Sequence, residues 1–181
     1  MRPLRIRSSE SNTGLYRFLD WLIAVALGAI AVALLLFVFM TPIVVEEDSI
    51  ADIGGGELVF ADRMGKYFAD YGRGDIVVYR YGKSSKTHLG RIVAFSGEQV
   101  QVSNGHIYIN DAYLDESAYA IGFSDEYSFC FTVPNGKVLI LPDDRSSIDG
   151  NRIDAMTFSA SEIVGEVRFR IYPLNKLELF A

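Results

Sequence analysis

The sequence predicts a mainly β protein, an antiparallel β domain behind a single N-terminal transmembrane helix. Three observations carry this prediction. Positions 21–40 form a run of 20 residues without a charge. Past Pro42 the chain breaks into short runs rich in β-branched and aromatic residues, the composition that suits a pleated, half-buried surface. One of these, Val100–Asn110, is centred on Asn104-Gly105, a dipeptide that favours the two-residue turn joining antiparallel strands. A chain of 181 residues has room for one such domain plus an anchor.

Taken in order, residues 1–20 form a basic tail, 21–40 the transmembrane helix and 41–181 an extracytoplasmic β domain. Twenty helical residues rise roughly 30 Å, the thickness of a bilayer's hydrocarbon core. The apolar run is too long for a signal-peptide h-region, and Met40-Thr-Pro-Ile-Val-Val45 offers no small-x-small cleavage site, so the anchor is expected to stay uncleaved. Arg2, Arg5, Arg7 and Arg17 precede the run against Glu10 and Asp20, a net +2, which leaves −8 for residues 41–181. Basic residues before the span place the N-terminus in the cytoplasm and the β domain outside.

Strands are expected at Leu58–Phe60, Asp75–Tyr81, Arg91–Phe95, Lys137–Leu141 and Ile163–Pro173. Tyr127–Val133 alternates, putting Cys130 on the face opposite Phe129 and Phe131. Helix is confined to the anchor and a turn near Ser159–Glu162.

Composition excludes several functions. A net charge of −6 argues against nucleic-acid binding that rests on neutralising phosphates. One cysteine and two histidines leave no CxxC pair and no Cys- or His-rich metal centre, and no cofactor is expected. Gly54-Gly55-Gly56 is followed by neither a helix-forming run nor a Lys-Ser/Thr pair, so it is not a phosphate loop. Asp143, Asp144 and Asp149 lack the alternating ladder and closing glutamate of a calcium loop. Arg73-Gly74-Asp75 spells an adhesion tripeptide but leads straight into a strand, where Gly-Asp supplies a turn.

The order of local patterns is more specific. Arg73-Gly-Asp-Ile-Val-Val-Tyr79, His88-Leu-Gly-Arg-Ile-Val-Ala-Phe-Ser-Gly-Glu98, Ile109-Asn110 with Glu116, Val133-Pro-Asn-Gly136, Pro142-Asp-Asp-Arg-Ser-Ser-Ile-Asp-Gly-Asn-Arg152, Ile163-Val-Gly165 and Arg170-Ile-Tyr-Pro173 follow one another behind the anchor. In that order they resemble the type I signal peptidases over roughly residues 15–175. The resemblance implies a signal-peptidase-like β fold and, in active members, a serine nucleophile with a lysine general base.

Here the two differ. Asp48 stands at the serine position and Gly90 at the lysine position. Glycine cannot take a proton from a nucleophile, and aspartate attacks an amide poorly. Glu46 occupies the position beside the oxyanion hole, where a carboxylate opposes the developing negative charge. The serine that supports the lysine is Ile148 and a nearby aspartate is Gly150, whereas Arg91, Asp143, Arg145 and Arg152 keep the residues of the family's structural framework. The sequence is similar to the pilus-associated, SipA-type branch of the family in streptococci. That likeness implies a non-proteolytic chaperone or accessory factor for pilus assembly at the Gram-positive cell surface, with pilin subunits or the pilus sortase as partners. A peptide groove at Glu46, Asp48, Ser49, Leu89 and Gly90 would take an extended segment as an added strand. The competing reading is an atypical active signal peptidase using Ser49 with Lys83 or Lys86. A third is a structural membrane partner that docks a sortase through its anchor or outer face.

Overall fold

The computed structural model describes residues 13–45, 50, 53–63, 71–82, 86–124, 127–146, 148 and 150–180. It divides into two units, Met1–Phe39 and Met40–Ala181. The first contains α1, Thr13–Phe39, 27 residues long. The helix therefore begins eight residues before the charge-free run, since nothing in Thr13–Asp20 opposes helix, and it ends one residue short of the expected boundary. Its stretch Gly14–Leu34 is long and apolar enough to cross a membrane, and none of it is buried within the protein.

Among the described residues the second unit contains twelve strands: β1 Met40–Val44, β2 Leu58–Asp62, β3 Ile76–Tyr79, β4 His88–Ala94, β5 Gln99–Ser103, β6 His106–Ile109, β7 Ala112–Tyr113, β8 Phe129–Thr132, β9 Lys137–Leu141, β10 Thr157–Ser159, β11 Ile163–Tyr172 and β12 Glu178–Leu179. The larger sheet runs β1-β2-β11-β3-β4-β9-β10, with β12 paired to β11, and the smaller runs β7-β6-β5-β8. Every pairing between these strands is antiparallel. The fold is the mainly β class that the sequence predicts, behind one N-terminal apolar helix.

Strand β3 explains why its sequence reads as a continuous apolar run. Ile76 and Val78 enter one apolar cluster with Val45, Ile50, Ile53, Val59 and Leu89. Val77 and Tyr79 enter another with Ile92, Ile140, Phe158 and Ile163. The large sheet is thus covered on both faces along β3. A third cluster joins Val93, Ala94, Leu139 and Leu141 of the large sheet to Val100, Val102, Ile107 and Ile109 of the small one. The β5–β6 turn falls on Asn104 and Gly105, both at positive φ (51° and 76°), as the two-residue hairpin requires. Cys130 is exposed while Phe129 and Phe131 pack on the core, in accord with the alternation.

Four features differ from the sequence-based expectation. Strand β1 lies at residues read only as the chain leaving the anchor. It is an edge strand, where Pro42 is tolerated because no ladder donor is lost. The expected strand at Asp75–Tyr81 is trimmed to Ile76–Tyr79 by the turn at Arg73-Gly74 and the bend after Tyr79. A 3-10 helix spans Gly150–Met156, where no periodicity announced one. The segment near Ser159–Glu162 is the tight turn between β10 and β11, held by the Glu162 carboxylate accepting from the Ser159 N–H at 2.9 Å.

The two sheets share one buried ion pair. Arg145, 1% exposed, donates through both terminal nitrogens to the two oxygens of Glu116 and through Nε to the Pro142 carbonyl at 3.0 Å. Removing one partner leaves a buried charge uncompensated, which costs about 3–5 kcal/mol. Glu116→Ala is therefore expected to lower unfolding free energy by about that amount, measured by denaturant titration of the full-length protein in detergent. Glu116→Asp is expected to recover part of the loss.

Candidate functional site

The site is built around β4. Arg91 on this strand donates from Nε and Nη2 to the two carboxylate oxygens of Asp143, each at 3.0 Å, and from Nη1 to the Gly74 carbonyl at 2.8 Å. Its guanidinium lies 3.9 Å from the centre of the Tyr119 ring. Asp143 is fully buried just past β9, and its backbone carbonyl accepts from the Ile121 N–H at 2.8 Å. Two residues on, Arg145 makes the pair with Glu116. Tyr119 sits between these pairs. Burial, and then the Glu116 carboxylate, push its hydroxyl pKa up to about 12.

Arg91, Asp143 and Arg145 are thus brought together around the Pro142–Arg145 segment, each in a charge-assisted contact. Arg152 is not joined to them: it is exposed on the 3-10 helix, and among the described residues no ion pair engages it. Glu116 and Tyr119 complete the arrangement. Glu116 was visible in the sequence only through its spacing from Ile109-Asn110, and nothing local marked Tyr119.

Gly90, set at the lysine position by the sequence resemblance alone, is paired with Val77 of β3 and buried. A Cβ added here would lie 2.5 Å from Ile140 Cγ2, 3.0 Å from Tyr79 Cε1 and 3.3 Å from the Leu141 carbonyl oxygen. The volume beside the strand is filled by neighbours rather than left as a cavity. Tyr79 is itself held by rings on several sides, with centroids at 4.4 Å to Phe158, 5.6 Å to Tyr81 and 5.8 Å to His88. His88 is therefore part of an aromatic cluster rather than isolated, and His106 likewise packs edge-on against Tyr113. Leu89, expected to line a groove, turns instead into the core, where it is 3% exposed. The alternation of β4 dictates this: with Arg91 reaching Asp143, its neighbour Leu89 shares Arg91's face and joins the apolar cluster beneath β3.

Glu46, Asp48, Ser49 and Lys83 lie outside the described residues. The ends of the segment bearing the first three are well defined. The Val45 N–H donates to the Glu57 carbonyl at 2.9 Å, the Gly56 N–H donates to the Val45 carbonyl at 2.8 Å, and Ile50 bridges to Ile53. Val45 and Ile50 are buried in the same cluster as Leu89, so the segment is rooted beside β4. Lys86 is exposed ahead of β4. Ile148 is partly buried against the cluster that joins the two sheets, and Gly150 opens the 3-10 helix.

The remaining motifs find structural roles. Arg73 donates to the Val93 carbonyl and, at 2.6 Å, to Glu98, while Asp75 accepts from the Gly72 N–H at 2.7 Å, so the tripeptide is occupied in holding a turn. Asp144 folds back on Ser146, whose hydroxyl and backbone N–H both hold its carboxyl below the usual range. Among the described residues no group of His, Cys, Asp and Glu is placed to hold a metal ion.

The antiparallel sheets, with the Arg91–Asp143 and Arg145–Glu116 pairs around β4, define a signal-peptidase-type β domain. The family described as "Signal peptidase, peptidase S26" matches residues 18–172. The chain belongs to this family. "Signal peptidase I S" of Bacillus subtilis (strain 168) is 27% identical over 181 residues, covering 93% of this chain and 97% of that protein. "Signal peptidase I T" of the same strain is 28% identical over 182 residues, covering 94% and 93%. "Signal peptidase I" of Streptococcus pneumoniae is 26% identical over 148 residues, covering 60% and 72%. A crystal structure of a signal peptidase I from Enterococcus faecalis V583 overlays 54% of this chain and 96% of its own, at 21% identity and a TM-score of 0.44.

Two predictions follow from this geometry. Gly90→Lys forces a side chain against Ile140 and Tyr79, and overpacking of this kind costs about 1–3 kcal/mol; unfolding curves of the variant are expected to shift by that amount. Glu166, 5% exposed in β11, has its carboxyl pushed above the usual range by burial and then by the Asp75 charge, against the pull of Arg168. A carboxyl whose folded-state pKa is raised favours the folded state when protonated, so its contribution is present at low pH and lost as pH rises through that raised value. Glu166→Gln is expected to remove this loss, read as a flatter dependence of melting temperature on pH above about 4.5.

Proposed function

We propose that this member of the family holds exported polypeptides at the membrane without cutting them. In this reading it is a non-proteolytic chaperone or accessory factor for pilus assembly at the Gram-positive cell surface. One observation carries the first part: the general-base position is a glycine whose surroundings are filled, so no side chain stands there to deprotonate a nucleophile. Asp48 and Glu46 at the nucleophile and oxyanion positions act in the same direction, since neither supports a tetrahedral oxyanion. The pilus role, with pilin subunits or the pilus sortase as partners, rests on the sequence likeness alone.

In the same proposal α1 is an uncleaved single-pass anchor, with the N-terminus cytoplasmic and the β domain outside. The apolar, unburied helix and the basic residues ahead of it support that orientation. The segment of residues 46–49, rooted at Val45 and Ile50, would present its acidic side chains to a basic stretch of an extended peptide.

The names of the Bacillus relatives favour a second reading, an atypical peptidase using Ser49 with Lys83 or Lys86. One assay separates the two. Full-length protein in liposomes is mixed with a pilin precursor carrying its signal peptide, beside an active signal peptidase. The precursor is expected to remain intact and to co-sediment with the liposomes. Cleavage that Ser49→Ala abolishes would overturn the non-proteolytic reading.

A further inference from the structure

We propose that the β domain carries a separate binding site, a cavity beside the small sheet that takes the side-chain carboxamide of a glutamine or asparagine in an extended polypeptide. The site uses neither residues 46–49 nor Gly90, so it stands whether or not the chain cleaves its partners.

The cavity measures about 260 Å³ and lies between β6–β7 and the loop that follows them. Leu114 extends the β6–β7 ladder by donating its N–H to the Ile107 carbonyl at 2.9 Å. The chain then turns, the N–H groups of Tyr119 and Ala120 donating to the Glu116 carbonyl at 3.1 and 2.9 Å. Its return passes close over the hairpin turn, where the Phe123 N–H donates to the Gly105 carbonyl at 3.3 Å. A Cβ at Gly122 would stand 2.6 Å from that same carbonyl oxygen, so glycine is what lets the loop close the back of the cavity. Ile107 and Leu114 supply apolar wall, and the exposed rings of His106 and Tyr113, 5.5 Å apart, flank the mouth.

The charged part of the wall is the Arg145–Glu116 pair. An arginine carries five N–H donors. Arg145 places three of them, on the Pro142 carbonyl and the two Glu116 oxygens. Among the described residues nothing accepts from the other two, although the side chain is 1% exposed. A carboxylate offers about four lone-pair sites. Glu116 fills three, two with Arg145 and one with the Tyr119 hydroxyl at 3.2 Å. Buried donors without acceptors are costly and call for a partner.

The class of that partner follows from the charges. The pair is neutral as a unit, so a carboxylate or ammonium brought against it would be a buried charge with nothing to balance it. An apolar group would leave the donors and the last acceptor site unmet. A carboxamide is neutral and carries an acceptor oxygen and NH₂ donors together, matching both partners of the pair. The space far exceeds the roughly 30 Å³ of one water and is small for a ligand pocket, which suits a single side chain. Strand β7, beside the mouth, is the edge of the small sheet, and an edge strand has backbone groups that an extended chain can pair with.

Proton–nitrogen NMR of the isotope-labelled full-length protein in detergent micelles, titrated with N-acetylglutamine N-methylamide, tests this. Saturable shifts are expected at the Arg145 Nε–H and at the Ile107 and Ala120 amides. The glutamate analogue adds a charge and the methionine analogue loses the hydrogen bonds, so each is expected to bind at least about tenfold more weakly. Ala120→Leu fills the cavity from a partly exposed position and is expected to abolish the Arg145 shift without moving the denaturant midpoint; Ala120→Val serves if Leu unfolds the protein. No saturable shift with the glutamine analogue, or equal binding of all three analogues, overturns the site. Tighter binding of the glutamate analogue overturns the carboxamide assignment in favour of an anion. Shifts that persist in the filled variant overturn the proposal by placing the contact elsewhere.

Discussion

Two guanidinium–carboxylate pairs set two residues apart hold this domain in one piece. Asp143 grips Arg91 of the large sheet, and Arg145 grips Glu116, which follows β7 of the small sheet. The residue between them, Asp144, bridges to Ile121, so this stretch is pinned by side chains and by backbone together. Buried ion pairs are weak evidence for net stability, because desolvation offsets much of their attraction. Their force lies in the asymmetry: with one partner present the other cannot be dispensed with. That requirement fixes the β9 exit relative to β4, and with it the walls around Gly90.

Around that frame the space at β4 is closed by apolar packing. A lysine amine placed among Ile140, Tyr79 and Phe158 would be desolvated, which lowers its pKa and makes it a usable base, at a cost in stability. Glycine carries neither such a side chain nor that cost. A glycine inside a strand sacrifices about 1 kcal/mol of its own through lost packing and greater unfolded-state freedom, but here Ile140 and Tyr79 fill the space beside it. The pairs that hold the fold do not include Gly90.

The parts of the fold that were legible in the sequence are those set by local rules. Alternation placed Cys130 outward and Phe129 inward, and Asn104-Gly105 fixed the hairpin because few residues tolerate positive φ at both positions. Strand β1 was missed because Pro42 and its neighbours resemble a linker, and only pairing with Phe60 and Val59 makes them a strand. The 3-10 helix at Gly150–Met156 was missed because a buried Ile153 between exposed Arg152 and Asp154 gives no periodicity. Of the site, Arg91, Asp143 and Arg145 were legible as charged residues in an ordered series of motifs. Of their partners, Glu116 showed only through its spacing from Ile109-Asn110, and Tyr119, which reaches Arg91 from 28 positions away, did not show at all. The orientation of Leu89 was misjudged for a related reason: a motif gives the residue, and only the sheet register gives its face.

The same register argument separates the two faces of the β1–β2–β11 edge. Side chains alternate along each strand, so the row Ile43, Val59, Arg170 and the rows on either side of it must face opposite ways. Arg170 shows which way is inward, because a guanidinium that is 7% exposed must find acceptors, and it finds them in Glu57, Glu178 and the Lys176 carbonyl. Glu57 in turn belongs to the turn whose backbone holds Val45. The C-terminal strap of residues 174–180, the base of the 46–49 segment and the core beneath β3 are therefore tied through one arginine. A change at Leu174–Phe180 thus has a hydrogen-bonded route through Arg170 and Glu57 to Val45, even though none of these residues is near Val45 in sequence.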